Sequence, residues 1–144
     1  MSLRILLVED NESDVKITLR AFRQSSLKTE IAVVSDGQEC LDFVRHEGAY
    51  QEAPKHPRPQ VILLDINMPR CDGFEVLRVL KGDAATRAIP VVMFSASRNE
   101  GDVVKSYESG ANGFIQKPVD YGEFLNMVEQ FNHYWQNLNR LPEA

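Results

Sequence analysis

Five short apolar runs, each closing on polar or charged residues, recur along this 144-residue chain and restrict its fold more than any other feature. Leu3–Val8 closes on Glu9 and Asp10, residues 30–34 on Ser35-Asp36-Gly37, and Val61–Leu64 on Asp65. Residues 91–94 close on Ser95, and Phe114-Ile115 leads to Lys117 and Pro118. Runs this short and this rich in Val, Ile and Leu suit strands covered on both faces, as in a parallel sheet with helices above and below. The intervening segments carry helical spacing. Val15, Leu19 and Phe22 fall at i, i+4 and i+7; Phe74, Leu77 and Leu80 recur every three; Phe124, Val128, Phe131 and Trp135 extend one stripe over three turns. Gly82 and Gly110 stand where helices would stop. Five strands alternating with five helices predict an α/β, doubly wound fold.

Composition narrows the function. The chain carries 21 acidic against 16 basic residues, a net charge of -5. A general nucleic-acid binder needs a basic face to neutralise phosphates, so no direct nucleic-acid partner is expected. The longest apolar runs hold four residues (5–8, 61–64 and 91–94), whereas a membrane span needs ~20. Neither a signal-peptide core nor a cleavage site is legible at the N-terminus. Cys40 and Cys71 form no CxxC pair, which fits a reduced, cytoplasmic protein. Residues 1–144 read as a single domain with two departures from the alternation. Residues 47–60 hold Pro54, Pro57 and Pro59 and read as a long surface loop. Residues 132–144 form a tail that prolongs the last helix.

The strand ends carry the chemistry. In a doubly wound sheet, ligands bind beyond the carboxyl ends of the strands. There the sequence puts Glu9, Asp10, Asp65, Ser95 and Lys117. If the first and third strands are neighbours, three carboxylates share one space and need a compensating cation. Oxygen donors of this kind suit Mg²⁺. An acid after a strand is often a mere turn former. Asp65 is different, because a carboxylate closing an apolar run costs free energy unless it is paired. Taken singly, Ser95 reads as a cap and Lys117 as a surface charge; their joint placement carries the argument.

The motifs LLVEDN (6–11), LLDINMPRCDG (63–73), FSAS (94–97) and GFIQKP (113–118) stand in the order and spacing of a known family. The chain resembles the receiver domain of bacterial response regulators over about residues 3–131. Its loop and tail, with YW at 134–135 and LP at 141–142, resemble a narrower group, the single-domain regulators that serve bacterial phytochrome histidine kinases. The resemblance implies a flavodoxin-like receiver fold with strand order 2-1-3-4-5. It also implies a two-component phosphorelay protein that is not itself an enzyme, with Mg²⁺ as cofactor. Asp65 matches the phosphoacceptor, Asp10 the direct metal ligand, and Glu9 an acid acting through metal-bound water. Asn67 matches the residue whose carbonyl completes the metal site. Ser95 matches the hydroxyl that bonds the phosphoryl group, Lys117 its ammonium partner, Phe114 the switch aromatic, and Pro118 a proline that is often cis. Glu9 departs from the commoner Asp at its position.

Phosphoryl transfer explains these residue types. It passes through a loose in-line transition state whose charge is spread over equatorial oxygens, so positioning and charge stabilisation are the protein's task. A carboxylate nucleophile needs no base. The expected partners are a sensor histidine kinase, and a downstream protein or phosphotransfer protein reached through the fourth helix, fifth strand and fifth helix. Phe131, Tyr134, Trp135 and Leu138 run apolar past the end of a five-stranded core and predict a homodimer surface. Two rivals share the fold: a flavodoxin-like cofactor carrier, which would need a phosphate loop where Glu9-Asp10-Asn11-Glu12 stands, and a docking receiver that is never phosphorylated. His46, His56 and His133 lack metal-ligand spacing. Cys40 reads as core and Cys71 as a loop residue.

Overall fold

A computed structural model describes residues 2–52, 55–68 and 72–142; Pro54 and Cys71 lie outside the described residues. Strands and helices alternate as β1 (Leu3–Val8), α1 (Glu12–Gln24), β2 (Thr29–Val34), α2 (Gly37–Arg45), β3 (Val61–Leu64) and α3 (Gly73–Gly82). They continue as β4 (Val91–Ser95), α4 (Glu100–Glu108), β5 (Gly113–Gln116) and α5 (Tyr121–His133). All strand pairs are parallel, in the order β2-β1-β3-β4-β5. That is the expected doubly wound sheet.

Alternation along the strands divides the core in two. Leu6, Val8, Ile62, Leu64, Val91 and Met93 point to the face covered by α2 and α3, where they meet Cys40, Val44, Phe74 and Leu77. Ile5, Leu7, Val61, Leu63, Val92 and Phe94 point to the other face and meet Phe22, Phe124, Val128 and Phe131 of α1 and α5. The central runs are unbroken by polar residues because both of their faces are buried. Each helix starts on an Asn or Asp whose side chain accepts a first-turn N–H: Asn11, Asp36, Asp72, Asn99 and Asp120. Such caps contribute ~1 kcal/mol each and fix where the chain turns after its strand.

The loop and the tail are tied down more closely than the sequence suggests. Residues 48–50 form a 3₁₀ turn, and Tyr50 sits between the rings of Phe43 and His56, at 5.1 and 5.0 Å. His46 Nε2 lies 2.8 Å from the His56 carbonyl oxygen, so loop residues 48–50 and 56 pack on α2. After α5 the chain makes a π-helical turn, Tyr134–Leu138. Phe131 is buried edge-on to Phe22 at 5.8 Å, and Trp135 leans on Phe131 at 6.1 Å within the same cluster. The expected four-residue dimer surface is corrected at Phe131, which is buried in the α1–α5 packing of its own domain because the apolar stripe continues over a neighbouring helix; Trp135 is half-buried against it. Tyr134 and Leu138 alone of the four are exposed, at 48% and 68%.

Gly73 marks where the fold meets the site. A Cβ there would stand 2.2 Å from the Asp65 carbonyl oxygen and 2.8 Å from the Ile66 Cα. The Gly73 N–H also donates to the Ile66 carbonyl at 2.8 Å. Both obstacles are backbone, so only a residue without a Cβ lets α3 start against the end of β3. We expect Gly73→Ala to destabilise the protein by ~2–3 kcal/mol, the usual range for overpacking. At this chain length that lowers the thermal midpoint by roughly 8–12 °C. A melting curve followed by circular dichroism checks this, and an unchanged midpoint would refute it.

Candidate functional site

Register assembles the site. Val8 of β1 pairs with Leu64 of β3, which puts Glu9 and Asp65 side by side one residue further on. Ser95 of β4 pairs with Gln116 of β5, so Ser95 and Lys117 close the same end of the sheet. Glu9, Asp10 and Asp65 each offer a carboxylate oxygen, and these oxygens lie within 4.8 Å of one another. Glu9 and Asp65 are buried, while Asp10 is exposed at the mouth. An oxygen-only donor set of three acids suits a hard divalent cation.

Lys117 crosses this mouth from β5. Its Nζ donates to Glu9 Oε2 at 2.6 Å and to Asp14 Oδ2 at 2.9 Å, and lies 3.9 Å from Asp65 Oδ1. It also sits 5.5 Å from the centre of the Phe94 ring. Burial opposes its charge, but the bonds to Glu9 and Asp14 and the charges of Asp65 and Glu9 hold its pKa above the ordinary lysine value. Asp65 is pushed up to about 7 by burial; Glu9 and Asp10 add to the rise, while Lys117 and the Ile66 N–H oppose it. One ammonium does not offset the surrounding carboxylates, and the site has an appetite for further positive charge.

The other expected residues fall as follows. Ser95 is buried at the end of β4; its Oγ accepts from the Ser97 N–H at 3.1 Å, and its carbonyl accepts from the Lys117 N–H at 2.8 Å. Asn67 is exposed in the loop after β3. Phe114 is half-buried on β5, against the α2–α3 side of the core. Pro118 is corrected: no peptide bond among the described residues is cis, and Lys117–Pro118 takes the trans form that X-Pro bonds favour by ~0.5–1 kcal/mol. Asp14 was not anticipated. Its charge reads as an ordinary first-turn acid favoured by the helix dipole, and only the tertiary contact separates it from Glu12. Ser97 Oγ donates to Asp102 Oδ2 at 2.6 Å, which ties the loop after β4 to α4.

Known proteins agree with this geometry. Residues 5–129 match the model of the response regulator receiver domain. The chain is 35% identical over 140 residues to response regulator Rcp1 of Synechocystis, covering 97% of this chain and 93% of the relative. The crystal structure of the phosphorylated cyanobacterial phytochrome response regulator RcpA is 36% identical with a TM-score of 0.90, covering 99% of this chain and 100% of that one. The Mn²⁺-bound form of Rcp1 is 34% identical with a TM-score of 0.86, covering 98% and 99%.

The raised pKa of Asp65 has a consequence for stability. Between its unfolded value of 3.8 and about 7, the folded protein keeps a proton that the unfolded chain has lost. Asp65 therefore stabilises the fold fully below pH ~4, and that contribution is lost as pH rises through 7. In chelator at pH 8, Asp65→Asn should raise the thermal midpoint by roughly 3–4 °C, for ~1 kcal/mol after solvent screening. The gain should shrink at pH 5. A gain that is equal at both pH values would show that the Asp65 charge is not its cause.

Proposed function

The chain belongs to the response regulator receiver domain family, and from that premise we propose that Asp65 is its phosphoacceptor, with Mg²⁺ as the working cation. The observation that carries this reading is the placing of Asp65: buried at the end of β3, beside Glu9 and Asp10, with the Lys117 ammonium 3.9 Å away. An Asp65 carboxylate oxygen attacks the phosphorus of a phosphohistidine. A P–O bond forms, the P–N bond breaks, and the electron pair leaves on the imidazole nitrogen, which is protonated from solvent. Hydrolysis later breaks the bond between phosphorus and the Asp65 oxygen: a water oxygen attacks phosphorus, the electron pair returns to the carboxylate, inorganic phosphate leaves and a proton goes to solvent.

In this reading Asp10, Asp65 and the Asn67 carbonyl would hold the cation, with Glu9 acting through a metal-bound water, and its charge would offset repulsion between carboxylates and phosphoryl oxygens. Lys117 turns from its acids to a phosphoryl oxygen, and the Ser95 hydroxyl donates to another. Moving Ser95 inward opens room for Phe114 to rotate on β5, and the surface of α4, β5 and α5 changes with it. The phosphoryl donor is a histidine kinase. The phytochrome response regulator among the similar structures supports a phytochrome-type kinase. The protein assists its own phosphorylation and hydrolysis without turning over a separate substrate. No helix among the described residues is long and apolar enough to cross a membrane, which supports cytoplasmic work. Acids occupy the turn where a flavodoxin-like carrier would need a phosphate loop, which disfavours that reading.

Output includes self-association through what is left of the tail surface. Tyr134 and Tyr107 line one groove with Phe114, and Leu138 and Val104 are exposed on the flanking helical segments.

Three measurements test these assignments. With acetyl phosphate and Mg²⁺, the wild type should gain one phosphoryl mass and Asp65→Asn none; undiminished labelling of the variant sinks the acceptor role. Asp10→Ala should weaken Mg²⁺ binding by about tenfold or more, since losing even a group that only supports a metal ligand costs ~10–100-fold. Unchanged calorimetric affinity contradicts the role given to Asp10. Leu138→Asp should shift a concentration-dependent dimer toward monomer in sedimentation, and a wild type that is monomeric with and without beryllofluoride removes the dimer.

A further inference from the structure

Lys117 has two strong partners of different kinds. Glu9 belongs to the acid cluster and stands beside Asp65. Asp14 does not: it projects from the first turn of α1, its side chain is 39% exposed, and it takes the ammonium at 2.9 Å. An ammonium has three N–H donors in tetrahedral array. With bonds of 2.6 and 2.9 Å to Glu9 and Asp14, it rests 3.9 Å from Asp65, beyond hydrogen-bond range. To meet a phosphoryl group carried on Asp65, the ammonium must turn toward the cluster. The bond to Asp14, an acid outside that cluster, holds the ammonium at this distance and has to loosen for it to close on Asp65.

We infer that Asp14 is a positioning residue of the phosphoryl-transfer reaction, holding the Lys117 ammonium off Asp65 in the resting protein and releasing it as the phosphoryl group arrives. The inference rests on the reading of Asp65 as phosphoacceptor. The Asp14 side chain is not the cap of α1: that is Asn11, whose Oδ1 accepts from the Asp14 N–H at 3.0 Å, which leaves the Asp14 carboxylate free to hold Lys117. Glu12, two residues earlier on the same helix, is an exposed acid that makes no ion pair with Lys117. It provides a control of equal charge.

The contest sets the size of the effect. A half-exposed ion pair is worth a few tenths to one kilocalorie, which corresponds to about two- to fivefold in a rate or an affinity. With saturating Mg²⁺, Asp14→Asn should take label from acetyl phosphate about two- to fivefold faster than wild type. The half-saturating beryllofluoride concentration, read by fluorine NMR, should fall by a similar factor. Asp14→Glu should return both quantities toward wild type, and Glu12→Gln should change neither. Acceleration confined to Asp14→Asn and reversed by Glu supports the inference. Unchanged or slower labelling in Asp14→Asn overturns it, and so does equal acceleration in Glu12→Gln, which would make net charge the cause. The two readings fail separately. A wild type that takes no label overturns the phosphoacceptor assignment and this inference with it. A labelled wild type, with Asp65→Asn unlabelled and Asp14→Asn unchanged, overturns this inference alone.

Discussion

The imbalance between one buried ammonium and the acids around it governs the carboxyl end of the sheet. Lys117 bonds two carboxylates and lies near a third, yet Asp65 still holds its proton up to about 7. A buried charge of this kind is tolerable only when paired. The protein leaves the pairing incomplete on the acidic side, a shortfall of the kind a divalent cation would fill. If Asp65 is the phosphoacceptor proposed above, stability and function pull against each other there: the carboxylate that burial destabilises is the one that reacts.

The parallel sheet makes such a site possible because all its strands end at the same edge. Glu9 and Lys117 are far apart in sequence, yet register puts them 2.6 Å apart. The rigid part is the centre: β1, β3 and β4 are buried along most of their length. The yielding part lies to one side. The residues of β5 are half-buried or exposed, and α4 buries Ser106 alone. An element with few apolar anchors opens or shifts at low cost in free energy. On the proposed reading, a change at Ser95 and Lys117 would reach this loosely packed flank, where Phe114, Tyr107 and Tyr134 line one groove.

Much of this was readable before any coordinates. The five apolar runs are the five strands to within a residue or two, since a strand covered on both faces has to be apolar throughout. Asp65 was legible as chemistry because it closes such a run. Other features were not, because the property that matters is a contact between distant segments. The stripe through Phe131 and Trp135 looks the same in sequence whether a partner or α1 covers it, and the α1–α5 packing, with Phe22 against Phe131, settled it. Asp14 looks like Glu12 until Lys117 reaches it from β5. Pro118 was expected as a cis candidate through resemblance, and its bond is trans.

Periodicity and strand-end chemistry, both local, determined the fold class and the sheet's membership, and marked Asp65 as a carboxylate that needs a partner. Tertiary structure alone decided which acid the ammonium grips, how far it stands from Asp65, and how much of the tail is free to meet another chain. Each of these is a distance between side chains brought together only when β1, β3, β4 and β5 pair in register and α1 and α5 close on one face.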